Sequence, residues 1–154
     1  VMARNSREIA ALDARLGIPG VGEDDVGAAK YLTMSEQDYK SMTPDELMPA
    51  AATLASFSFG VQNEQSLQAA KAARLNRAMR KEASKTIDQY VGYGDERYFK
   101  AIQGSETLTQ MEVQYVDAQQ KADRLAWLAR SADRLSQIFE SMARQRTKRF
   151  GYSD

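Results

Sequence analysis

The chain has 154 residues, with 21 basic and 21 acidic side chains, no cysteine and no histidine. Disulfides, thiolate metal sites and cysteine nucleophiles are thereby excluded, and the commonest general base and metal ligand is missing. No apolar run approaches the ~20 residues that cross a bilayer and no signal peptide is visible, so the composition predicts a soluble, cytoplasmic protein without membrane, cofactor or metal and without enzymatic activity. Its carboxylate pairs, Asp24 with Asp25 and Asp95 with Glu96, read as solvated turns.

Residues 1–16 predict a short amphipathic helix carrying Ile9, Leu12 and Leu16, stopped at Gly17 with Pro19 just beyond. From Gly20 to Ser41 the chain is acidic and glycine-containing. It reads as an extended arm with one helical turn at Ser35–Lys40, capped by Ser35. Such an arm is either a solvated linker or a segment that packs on a neighbouring subunit or mimics acidic nucleic acid. Residues 1–42 are thus set apart from a second region, 43–154.

That region opens with Thr43-Pro44-Asp45-Glu46, a capping threonine, a proline at the first helical position and a glutamate placed to close a capping box. Leu47, Ala51, Leu54, Phe57, Val61, Ala72, Leu75, Met79, Ala83, Ile87 and Tyr90 then return mostly at three- and four-residue steps. They predict one helix over about 44–90, roughly 70 Å long at ~1.5 Å per residue, with Pro49 as its weak point. Gln89 to Lys100 reads as a glycine-loosened turn. Thr107-Leu108-Thr109-Gln110 repeats the capping-box spacing and opens a second helix over about 106–148. Its apolar set is Leu108, Met111, Tyr115, Ala118, Ala122, Leu125, Leu128, Ala132, Leu135, Phe139 and Met142. Opposite charges three or four apart, Asp117 with Lys121 and Arg130 with Asp133, support its outer faces.

The predicted fold is all-α: a long antiparallel helical hairpin with a short N-terminal helix and an extended arm. Much of the seam is alanine, which leaves a lone hairpin little core. Phe59, Leu67 and Trp127 lie off the apolar stripes. A second apolar face of this kind predicts a homo-oligomer with hairpins side by side.

The zero net charge hides a strong asymmetry. Residues 1–65 carry a net −5, residues 66–91 +4, residues 92–140 −2 and residues 141–154 +3. Lys71, Arg74, Arg77 and Arg80 step by three, followed by Lys81 and Lys85. Beside them, Tyr93, Arg97 and Lys100 lie on the turn. Cations that track phosphates, next to rings that stack on bases, are the ingredients of a single-strand grip. The alternative is a solvated helix face, with Tyr90, Tyr98 and Phe99 plugging the open end of the hairpin.

The stretch Lys71-Ala72-Ala73-Arg74-Leu75 through Asp88-Gln89-Tyr90-Val91-Gly92-Tyr93-Gly94-Asp95, followed by Gly104-Ser105-Glu106-Thr107-Leu108 to Arg149, resembles phage recombination mediators of the UvsY type. It shares their order of basic helix, aromatic turn, acidic connector and closing helix. The resemblance covers residues 43–150 as a pattern. The neutral total charge and the acidic N-terminal arm depart from it. It implies a phage-encoded, single-stranded-DNA-binding ring in the host cytoplasm that displaces single-strand-binding protein and loads a RecA-like recombinase. The competing expectation is an oligomeric helical structural or assembly protein of a phage particle, with no nucleic-acid role.

Overall fold

The computed structural model describes residues 23–150, with side-chain packing defined over 27–149. The predicted helix over 1–16 lies outside these residues. All regular structure described is helical: α1 (Glu23–Leu32), α2 (Glu36–Lys40), α3 (Pro44–Ala83), a 3₁₀ turn (Ile87–Gln89), α4 (Gly94–Gln103) and α5 (Glu106–Phe150). The long helices α3 and α5, of 40 and 45 residues, pack against each other as a helical hairpin. Two compact units divide it, one from the residues up to Glu64 and from Arg124 onward, the other from Gln65–Asp123.

In the first unit the acidic stretch is not an extended arm, as the sequence had suggested. It is helical over α1 as well as α2. The reason is a small apolar face, Ala28, Tyr31 and Leu32, recurring at three- and four-residue steps and finding a core to bury against. Phe139 is the centre of that core and fully buried. The Tyr31 ring meets it edge-on at 5.9 Å and the Tyr39 ring at 5.5 Å, tilted by 53°. Leu47, Leu54, Ala50, Ala51, Ala132 and Ala143 complete the cluster, while Val61, Leu125, Leu128 and Ala129 form a second one.

Alanine at these positions lets the helix backbones approach closely, and two buried serines use the approach. Ser58 Oγ donates to the Ala129 carbonyl at 2.9 Å, and Ser136 Oγ donates to the Ala51 carbonyl at 2.8 Å. The two bonds lie seven residues apart on both helices, a heptad step of an antiparallel pair. They tie the helices together at a fixed register while satisfying both buried hydroxyls. Arg146 donates to the carbonyls of Met42 and Lys40, pinning the link into α3 to α5.

The caps follow the sequence in part. Ser35 and Asp38 form the complete capping box of α2. At α3 the Glu46 carboxylate accepts from the Thr43 backbone N–H at 2.8 Å and from its hydroxyl at 3.0 Å. These bonds hold the Glu46 carboxyl below the usual carboxylate range. The helix runs through Pro49. The cap of α5 is Ser105, not Thr107: its Oγ accepts from the Leu108 N–H at 3.3 Å. Asp117 pairs with Lys121 as expected, at 3.0 Å. Arg130 instead donates to the Ala126 carbonyl, and Asp133 accepts from Gln137.

In the second unit α3 stops at Ala83, short of the expected Tyr90. Ser84 Oγ donates to the Lys81 carbonyl at 2.7 Å, and Thr86 Oγ1 reaches the Ala83 carbonyl at 3.5 Å. These hydroxyls compete for acceptors that the next helical turn would use. The backbone tightens into three-residue bonds, Lys85 to Glu82 and Thr86 to Ala83. The supposed loop to Lys100 contains α4, whose Ala101 and Ile102 bury against Met79, Ala83 and Leu108. Tyr90, Tyr98, Met111 and Tyr115 pack around that cluster.

Gly104 ends α4 where space, not torsion, demands glycine. A Cβ there would stand 2.2 Å from Tyr90 Oη and 3.3 Å from the Lys100 carbonyl oxygen. Gly104→Ala should therefore displace a packed ring and destabilise the protein by roughly 1–3 kcal/mol. Gly60→Ala, in mid-helix with nothing within 4 Å of the added Cβ, should instead stabilise it by roughly 0.5–1 kcal/mol. Urea midpoints of the two variants against the parent check both signs.

Candidate nucleic-acid interface

The residues proposed from sequence to bind nucleic acid all fall in the unit Gln65–Asp123, and they divide into two groups. Lys71, Arg74, Arg77, Arg80 and Lys81 are exposed on α3, and none forms an ion pair with an acidic group among the described residues. Inward-facing Ala72 and Met79 fix the opposite face of the helix. Each three-residue step falls about 60° short of a full turn, so the row from Lys71 to Arg80 winds across the outer side of α3 instead of following its axis.

Lys85, Arg97 and Lys100 are committed within the fold. The Lys85 ammonium lies 2.6 Å from the Glu82 carboxylate. Arg97, its side chain 29% exposed, donates Nε and Nη2 to the Ile87 carbonyl at 3.1 Å and pairs with Asp88 at 2.6 Å. Lys100 Nζ donates to the Val91 carbonyl at 2.9 Å and to Glu96 at 2.6 Å. The hydrogen bond and charge of Lys100 hold the Glu96 carboxyl below the usual carboxylate range. Together these cations staple the chain between α3 and α4. Gly92 allows the turn with φ +137°, a region that side-chain-bearing residues rarely adopt.

The aromatics of the turn also divide. Tyr90 and Tyr98 pack into the core of the unit, and burial pushes the Tyr98 phenol up, against the lowering effect of Arg80 nearby. Tyr93 points to solvent, 90% exposed, and Phe99 is 54% exposed, with Val91 also exposed between α3 and α4. The plugging role expected of Tyr90, Tyr98 and Phe99 holds for the first two only. Phe99 is a surface ring, against the alternative reading in which it plugs the end of the hairpin. The signal was available in Ala101, two residues on and so nearly opposite on a helix, once α4 is read as helical.

The residues placed off the seam are exposed: Phe59, Leu67 and Trp127 each lie about two-thirds open to solvent. Val113 and Val116 are exposed too, beside Glu112, Asp117 and Gln120 on one side of α5. Among the described residues no group of three or more acidic side chains stands where it could hold a metal ion, and no helix is long and apolar enough to cross a membrane. No family model, curated protein or solved structure matches the chain.

Proposed function

We propose that this protein binds single-stranded DNA through α3 and acts as a recombination mediator, assisting a RecA-like recombinase against single-strand-binding protein. The observation that carries the binding is the row Lys71, Arg74, Arg77, Arg80 and Lys81, five exposed cations with no acidic partner among the described residues. Counterions condensed on a phosphate backbone are released when such a row replaces them, which gives binding its driving force. Tyr93 adds an exposed ring on the turn that follows α3. Lys85, Arg97 and Lys100, each paired with a carboxylate, contribute by shaping the turn. The mediator role, the recombinase and the single-strand-binding protein rest on the resemblance to UvsY-type proteins. The test is equilibrium binding of a labelled single-stranded oligonucleotide at low salt, where the full chain should bind and a failure to bind would remove the proposal.

The second reading is an oligomeric structural or assembly protein, and Phe59, Leu67 and Trp127 favour it, because exposed rings and leucines of this size commonly mark protein contacts. Self-association is compatible with both readings, since a ring would multiply the cation row by its subunit number. We expect sedimentation at micromolar concentration to give a mass above that of one chain, and Leu67→Ala combined with Trp127→Ala to lower it. A stable monomer would contradict the oligomer. An oligomer that ignores oligonucleotide would leave the assembly reading.

A further inference from the structure

The turn between α3 and α4 spends its cations internally and leaves its rings outside. Arg97 and Lys100 are fixed on the carbonyls of Ile87 and Val91 and on Asp88 and Glu96, so neither guanidinium nor ammonium is free to meet a phosphate. Those same bonds hold the backbone on both sides of Tyr93. Phe99 projects from α4 away from the buried Ala101, and Tyr93 occupies the N-cap position of the same helix. Neither ring contributes to the core that Tyr90 and Tyr98 complete. The result is a support carrying two exposed rings, with no free cation of its own to grip a backbone.

The free charge is supplied from α3. The row of unpaired cations ends with Arg80 and Lys81, on the turn of α3 whose Met79 and Ala83 cluster with Ala101 and Ile102 of α4, with Tyr98, the residue before Phe99, packed against them. There the charge of Arg80 reaches the Tyr98 hydroxyl. A polyanion following the row is therefore led to α4.

We propose that Phe99 and Tyr93 form a stacking platform for unpaired bases at the end of the cation row, so that this end of the protein selects single strands over duplex. The proposal rests on the nucleic-acid reading above and adds to it the chemistry of the discriminating contact. Every base has a face that a ring can cover, but only an unpaired strand can turn that face outward. The row alone would hold duplex and single strand by phosphate, with little preference. In this division Arg97 and Lys100 are positioning residues that hold the platform, and the rings are the contacts.

The experiment measures binding of one oligonucleotide, single-stranded and as its duplex, to the full chain and to Phe99→Ala, Tyr93→Ala, Phe99→Trp and the pair Arg77→Ala, Arg80→Ala. Loss of either ring should weaken single-strand binding roughly five- to a hundredfold, with the salt slope and duplex affinity unchanged, and Phe99→Trp should retain parental binding. The arginine pair should weaken both forms and flatten the slope. If the arginine pair weakens binding while the ring variants bind as the parent does, the platform is wrong and the cation row stands. If neither set matters, or the parent binds nothing, both fail. If the ring variants lower the mass in solution instead of single-strand affinity, the rings meet a second copy of the chain and the proposal is overturned.

Discussion

Replacing Arg74, Arg77 and Arg80 together with alanine should lower the affinity for single-stranded oligonucleotide at least about tenfold at low salt, evenly across sequences. The three lie on the outer side of α3 with no acidic partner among the described residues, so their removal costs the fold no ion pair. Alanine has the higher helix propensity, so α3 itself should be no less stable. The effect should also exceed that of Lys85→Ala, whose ammonium already pairs with Glu82 at 2.6 Å. Unchanged affinity in the triple variant would make the row a solvated face and favour the assembly reading.

The largest effect on stability should come from Phe139→Ala. The ring is fully buried, and Tyr31, Tyr39, Leu47 and Leu54 belong to the same cluster or pack against it. The other buried members of the cluster are all alanines, which have no side-chain freedom with which to fill a void. Cavities that cannot collapse lie at the costly end of large-to-small substitutions, so a loss of roughly 3–5 kcal/mol is expected. Against a typical total of about 5–15 kcal/mol, that should move the urea midpoint far downward. The test also reports on α1, since Tyr31 meets the ring edge-on at 5.9 Å and Ala28 packs in the same cluster. A loss below about 1 kcal/mol would mean that the core is not organised on Phe139.

The seam of the hairpin was legible because its period is long and sustained. From Leu47 to Ala83 on α3, and from Leu108 to Met142 on α5, the residues read as inward from spacing are buried or half-buried. The ends were harder to read. Ser84-Lys85-Thr86 contains neither glycine nor proline, and its effect on the helix comes from hydroxyls that take backbone carbonyls. Thr107 carries a glutamine at the third position and so looks the better cap, whereas Ser105 caps α5 with Leu108 there. α4 was hidden by the glycines and aromatics around it, which imitate a loop. At the candidate site the cation row could be read from sequence. The commitment of Arg97 could not, because its partner Asp88 lies nine residues away across a turn. The exposure of Phe59, Leu67 and Trp127 followed from the same spacing that placed their neighbours inside.

The most direct test of the central claim is the dependence of single-strand affinity on salt for the parent chain. If the α3 row is a phosphate track, the logarithm of the binding constant should fall linearly with the logarithm of salt. With about 0.7 of a unit of slope for each phosphate met, five free cations predict a slope near −3 or steeper, and the triple arginine variant should lose roughly two units of it. A parent slope near zero, or a steep slope that the triple variant leaves untouched, would contradict the assignment of this face to nucleic acid.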